Sequence, residues 1–412
     1  MNRSLSIAQH MLLLSLIFWA IFSFISNSAL ALHHAFLLIP IFIINKKLFI
    51  NPPKSSLMLL IFGFMAFVSV CLNYADLDKP LRNISKIKYE VFGAFLGMLS
   101  FYFRKYLKNY LVLIFSFFIL SFSLANLYGV SKWVYQKFYL NILPDRLSGF
   151  FGMCMSYAYT AIIPIFLLVA ILAFKQLRHG FVSYFKERVI FTFFFREKLL
   201  VFFLILSLIA LFMCQTRGQI LGVLVGIPVV FFFKNKKSFY ILLITALFLI
   251  GLAAAYTYKF GNPNNRIFKS LNSVNHSQRL SQAKVGMRLF FENPLFGAGF
   301  RSLEERDSKV KEKYNIPDKD FVGHAHNNVI EILATTGLLG FVFFFLWIFF
   351  WIKEVLAIQN LGLRSFFIAI ITGFLITGLF QSTFIDSEYS FSLFSLYGLS
   401  FVSLEFERFG ES

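Results

Sequence analysis

The chain has 412 residues, of which 58% are hydrophobic and only 14% charged, and its formal net charge is +19. Soluble domains carry about a quarter charged residues, so this composition excludes a soluble multidomain enzyme, a disordered chain and a fibrous repeat. The positive charge does not indicate nucleic-acid binding, because much of it lies in connections between apolar stretches of membrane-spanning length.

Apolar segments fall at 8–27, 29–45, 56–74, 90–103, 110–130, 152–174, 199–215, 217–233, 238–257, 327–352, 363–382 and 389–406. They predict an all-α polytopic membrane protein of about twelve transmembrane helices, embedded in a lipid bilayer, with 90–103 the weakest span. Arg3, the apolar run from Met11 and Ala29-Leu30-Ala31 also fit a cleavable signal peptide. The length of that run, and a second span starting at once, favour a retained first helix. With the N-terminus inside, inner connections hold nineteen Lys and Arg and short outer ones eight. That bias places both termini in the cytoplasm. Cys71, Cys154 and Cys214 lie far apart in apolar stretches and read as small buried residues. Segment 175–198, with Lys186, Glu187 and Arg188 at its centre, reads as lying along the inner membrane surface.

Three regions follow: 1–257 with nine spans, a long outer segment 258–325, and 326–412 with three spans and a cytoplasmic end. The outer segment opens with the turn-rich Gly261-Asn262-Pro263-Asn264-Asn265. A helix is expected over Ser277–Glu292, capped by Ser277 and closed by Asn293-Pro294 and a Gly297/Gly299 turn. The twelve basic residues of 258–325 against its seven acidic ones suggest an anionic ligand at the outer leaflet, such as a diphosphate or a phosphorylated glycolipid.

Candidate site residues sit at the outer membrane boundary. Arg217, in Gln215-Thr216-Arg217-Gly218, begins a span where free backbone N–H groups also point outward, a combination suited to phosphate. Its bland alternative is an interfacial arginine reaching lipid headgroups. Arg146, in Asp145-Arg146-Leu147-Ser148-Gly149, occupies the equivalent place before another span, with Gly149 and Gly152 nearby; a local pair with Asp145 is its bland reading. Arg279 and Arg288 are nine residues apart on the outer helix and therefore face opposite sides. His326, in Gly323-His324-Ala325-His326-Asn327-Asn328, falls where the outer segment meets the tenth span. A helix N-terminus disfavours imidazolium and leaves a neutral base, although composition alone favours a His-Asn cap without chemistry. Gly337 and Gly340 lie on one face, where another helix could approach closely.

His326-Asn327, nine residues, Gly337, two residues and Gly340 match the H-[NSQ]-x9-G-x2-[GTY] pattern of bacterial O-antigen ligases. The chain resembles that family further in Gln215-Thr216-Arg217, in Asp145-Arg146-Leu147, in Arg279-Leu280, and in its layout of spans around one long periplasmic loop. The resemblance implies a GT-C-like glycosyltransferase of the Gram-negative inner membrane, with its active site facing the periplasm. It implies metal-independent, inverting transfer of glycan from undecaprenyl diphosphate to lipid A–core oligosaccharide, with no cofactor and no nucleic-acid partner. Catalytic roles fall on His326, Arg217 and Arg146, and substrate binding on Arg279, Arg288, Asn327 and Lys88.

Three rival readings remain. Asp76-Leu77-Asp78 has the Asp-x-Asp spacing that holds a divalent cation in many glycosyltransferases, but Lys79 and Arg82 beside it favour an ordinary solvated loop. Arg288, ten intervening residues and then Gly299 loosely resemble an O-antigen polymerase spacing. A flippase of lipid-linked sugar would carry ionisable residues along a path within its spans, whereas here the charges gather at the boundaries.

Overall fold

The computed structural model describes residues 3–25, 27–141, 146–150, 154–185, 193–260, 273–317 and 323–406. The Gly261–Asn265 turn, Asp145, Gly152 and the Lys186–Arg188 centre of the basic segment lie outside the described residues. The described chain is helical, with no strand among these residues. In lipid every backbone N–H and C=O must be satisfied within the protein, and a helix does this inside one segment.

Each of the twelve predicted spans contains one helix. In chain order these are α1 (Arg3–Phe22), α2 (Asn27–Ile44), α3 (Lys54–Leu72), α4 (Lys88–Tyr102), α5 (Leu111–Phe138), α6 (Cys154–Ala173), α7 (Glu197–Met213), α8 (Arg217–Phe232) and α9 (Lys236–Phe260). The outer segment supplies α10 (Ser273–Glu292) and α11 (Leu303–Lys313), and α12 (Asn328–Leu356), α13 (Leu361–Gly378) and α14 (Ser387–Val402) follow. Seven helical stretches among the described residues are long and apolar enough to cross a bilayer: 3–22, 32–49, 54–72, 104–138, 154–173, 328–356 and 361–378. Helices α4, α7, α8 and α14 have 15, 17, 16 and 16 residues, at or below the lower end of spanning length.

The helices pack around one aromatic interior. Trp347 and Trp351 of α12 stack at 5.7 Å between ring centroids, and Trp351 donates to Ser400 Oγ at 3.1 Å. Trp19 of α1 is fully buried and stacks on Phe118 of α5, so the first helix belongs to this core. Phe42, Phe64, Phe248 and Phe345 are each more than half exposed on apolar helices, as lipid-facing residues should be. The thiols depart from expectation: only Cys214 is buried, while Cys71 is exposed on α3 and Cys154 is half-buried at the start of α6.

The connections segregate to two ends of the bundle. At one end the segment after α3 touches the outer segment through Asn73 Nδ2, which donates to Gly297 O at 3.0 Å. There, too, Arg146 reaches the α7–α8 turn, and His326 reaches the segment after α13. At the other end Ser55 bonds Glu354, and Arg104 pairs with Glu405 at 2.7 Å. Alternating antiparallel helices require this arrangement.

Helix α10 begins at Ser273, four residues before the expected cap, so Ser277 lies inside it. Helix α11 holds a fully buried ion pair, Lys311 Nζ to Asp307 at 2.8 Å. The spacing to Gly337 serves a purpose other than helix–helix approach. Gly337 has φ 67° and ψ −169° and breaks α12, and the turn after α10 takes up the backbone groups around it. Ala298 N donates to Ala334 O at 2.9 Å, Leu338 N to Pro294 O at 2.8 Å, and Leu339 N to Leu295 O at 3.2 Å. A Cβ at Gly337 would lie 2.4 Å from the Leu295 carbonyl, and one at Gly297 would lie 2.4 Å from Thr335 C. A Cβ at Gly340 would strike Thr336, one turn earlier in its own helix, at 2.2 Å. The close approach is therefore between a loop and a kinked helix. Gly337→Ala should place a side chain in backbone that is essentially reserved for glycine (φ 67°, ψ −169°), at about 1–3 kcal/mol, and also push the docked turn away. Its thermal midpoint in detergent should fall by several degrees, with activity lost together with the turn.

Candidate active site

The α7–α8 turn presents Arg217. Helix α7 ends at Met213, and Gln215 takes a left-handed backbone (φ 54°) before Arg217 starts α8. Arg146 holds that turn: its Nε donates to Cys214 O at 2.7 Å, and Leu147 N donates to Met213 O at 3.2 Å. Arg146 thus satisfies carbonyls at a helix C-terminus, where a cation also meets the favourable end of the dipole. The charges of Arg279 and Arg146 both act on the Arg217 guanidinium. Three arginines from three segments far apart in sequence therefore converge. Among the described residues no carboxylate forms an ion pair with Arg146 or Arg279, which leaves a concentration of positive charge suited to an anion.

His326 stands beside this cluster, within the field of Arg279. Its backbone is left-handed (φ 51°), a conformation costly for most residues but visited by His and Asn. Neighbouring contacts hold it there. Asn327 Oδ1 accepts from Val329 N at 2.8 Å and Ile330 N at 3.1 Å, capping α12, while its Nδ2 donates to Leu379 O at 3.2 Å. The Asn327 side chain is thereby engaged by backbone rather than held open for substrate. On the other side, the buried Glu331 accepts from Ala325 N at 2.8 Å.

Gln381, which the sequence did not single out, defines the imidazole's chemistry. His326 Nδ1 lies 2.8 Å from Gln381 Oε1. With that amide oxygen toward the ring, Nδ1–H is the donor, and Nε2 carries the lone pair a general base needs. Burial lowers the pKa of His326 below the ordinary 6.5; the Gln381 bond opposes this, and the charges of Arg279 and His324 add to it. Burial thus leads where the helix dipole was expected to. His324 lies 3.9 Å from both Glu304 and Glu331, whereas it is His326 that meets Gln381.

A base must be unprotonated to act, and a lowered pKa keeps it so at lower pH. The acid limb of kcat/KM should therefore fall below pH 6.5, the ordinary histidine value. In Arg279→Gln one of the charges that depress the pKa is gone, and the limb should move to higher pH. A pH profile of both proteins at saturating donor checks this; an unmoved limb would remove Arg279 from the neighbourhood of the base.

The remaining sequence candidates separate. Arg279 and Arg288 occupy opposite sides of α10 as their spacing requires: Arg288 stacks over Tyr314 at 4.8 Å, away from Arg217 and His326. Lys88 is exposed at the start of α4, 5.3 Å over the Tyr89 ring, and the structure does not bring it to the arginine cluster. Asp76 and Asp78 lie 3.8 Å from Arg306 and 3.6 Å from Lys309 on α11, as ion pairs of an exposed loop.

Residues 202–345 match the family model described as O-antigen ligase. The matched stretch runs from α7 into α12 and contains Arg217, Arg279, His326 and Gly337. No curated protein matches the chain.

Proposed function

Taking as premise that the chain belongs to the O-antigen ligase superfamily, we propose that it transfers glycan from undecaprenyl diphosphate to a sugar hydroxyl of lipid A–core oligosaccharide. Membership carries ligase- or polymerase-type glycan transfer in lipopolysaccharide biosynthesis by a multi-pass membrane protein. The ligase reading rests above all on one observation: Arg146, Arg217 and Arg279 converge beside a histidine whose Nδ1 is committed to Gln381. As the bond from the anomeric carbon to the phosphate oxygen breaks, negative charge grows on the leaving diphosphate, and the guanidinium groups stabilise it. Nε2 of His326 removes the proton from the acceptor hydroxyl, whose oxygen forms the new bond from the opposite face. The anomeric centre inverts, and the proton leaves His326 for solvent or the diphosphate product. The connections that hold these residues form the periplasmic end, in the orientation the charge bias favours.

Arginines supply the countercharge that a divalent cation provides in other glycosyltransferases, so transfer should survive EDTA and the double change Asp76→Ala, Asp78→Ala. A deletion strain tests the function itself. It should lose polymer from lipid A–core while lipid-linked polymer still accumulates. A polymerase defect would instead leave a single repeat unit on the core, and that pattern would overturn the ligase assignment.

A further inference from the structure

Behind His326 lies a second polar group that the arginine cluster does not use. Arg301 follows the Gly297–Phe300 turn in left-handed backbone (φ 59°), and its guanidinium carbon sits 5.8 Å from the Tyr89 ring centroid. Its Nε and Nη2 are buried without a hydrogen-bond partner. Glu90, on α4, is fully buried, and neither carboxylate oxygen has a partner. Arg301 and Glu90 are electrostatic neighbours, and Asp386 and Glu331 lie within the same field. Glu331 Oε1 is also buried without a hydrogen bond, with His324 Nδ1 3.9 Å away.

Native proteins rarely leave such atoms unmet, so each asks for a partner. Here donors and acceptors are neighbours yet beyond direct contact, since no Arg301–Glu90 ion pair forms within 4.0 Å. A hydroxyl resolves that arrangement because it accepts from a guanidinium and donates to a carboxylate at once. Tyr89 and Phe391, perpendicular at 5.4 Å, add an aromatic wall of the kind that carbohydrate rings pack against.

We propose that Arg301 and Glu90, bordered by Glu331 and Asp386, form a subsite for hydroxyl groups of the acceptor sugar. This rests on the ligase reading above. The acceptor is favoured over the donor by connectivity: Glu331 accepts from Ala325 N, next to His326, and from Ser382 Oγ at 3.3 Å, next to Gln381. The subsite is therefore contiguous with the base. In an inverting transfer the base and its acceptor lie on the face of the anomeric carbon opposite the diphosphate.

The test uses full-length purified protein, lipid-linked glycan donor and polymer-free lipopolysaccharide. Arg301→Gln and Glu90→Gln should each raise KM for lipopolysaccharide tenfold or more, with donor KM unchanged and Arg301→Lys intermediate. Independently, polymer-free lipopolysaccharide should slow hydrogen exchange across 297–302 in the wild type, and undecaprenyl diphosphate should not. That second measurement serves if a variant fails to fold. An unchanged acceptor KM, a rise in donor KM, or protection by undecaprenyl diphosphate would each overturn the subsite. Wild-type protein inert toward lipopolysaccharide would overturn the ligase reading, and the subsite with it, before any variant is compared.

Discussion

Purified His326→Ala protein should bind the lipid-linked donor normally and transfer glycan about 10²–10⁴ times more slowly, the usual cost of removing a general base. Donor contacts survive because the arginines make them from three other segments. The left-handed backbone at residue 326 complicates the alanine change, since Ala pays about 1–2 kcal/mol there. His326→Asn tolerates that backbone and still lacks a base, so it should be as inactive while unfolding at the wild-type temperature. His324→Ala should keep most of the activity, because His324 faces Glu304 and Glu331 rather than Gln381. Single-turnover transfer at matched protein amounts separates these outcomes. Near wild-type transfer by His326→Asn would make the residue a loop element without chemistry.

Arg217→Ala should reduce transfer by about 10²–10³, the range seen when one preorganised donor to a developing anion is removed. Arg217→Lys should recover only part, because an ammonium offers a point charge where a guanidinium offers paired, planar donors. Helix α8 starts at Arg217 itself, so its first free N–H groups remain in the variant and supply residual stabilisation. Arg146→Ala should behave differently. It removes a charge, but it also releases the Cys214 carbonyl and loosens the turn that presents Arg217. Its defect should therefore include a lower thermal midpoint. Comparing transfer rates with melting curves for the two variants checks this, and full activity in stable Arg217→Ala protein would remove Arg217 from the site.

The sequence by itself indicated twelve apolar segments that each hold a helix, because apolar runs in lipid leave the backbone no option but to bond internally, while seven helical stretches among the described residues are long and apolar enough to cross a bilayer. It also singled out the residues on which the proposed chemistry rests. Charges are expelled from those runs, so Arg146, Arg217 and His326 stand at segment ends while Arg279 lies within the outer helix α10, and a nine-residue separation already put Arg279 and Arg288 on opposite sides of that helix. Helix lengths were less legible: α8 and α14, at 16 residues each, are shorter than the apolar runs 217–233 and 389–406, since a buried pack of helices needs hydrophobic residues for its own core as well as for lipid.

Only the tertiary structure decided which boundary residues meet. Gln381 and His326 are 55 positions apart, and a lone glutamine at a span end carries no pattern that marks it as an imidazole's partner. Asn327 looked like a site residue because it adjoins His326, yet the helix N-terminus claims its side chain. The spacing from His326 to Gly337 was visible in the chain, but its cause was not. Gly337 admits a loop whose N–H and C=O groups complete a kinked helix, and the identity of that loop, 294–298, depends on how distant backbone segments come to share hydrogen bonds. Glu90 and Arg301 were silent for the same reason: each is an ordinary charge at a segment end until folding buries the two together.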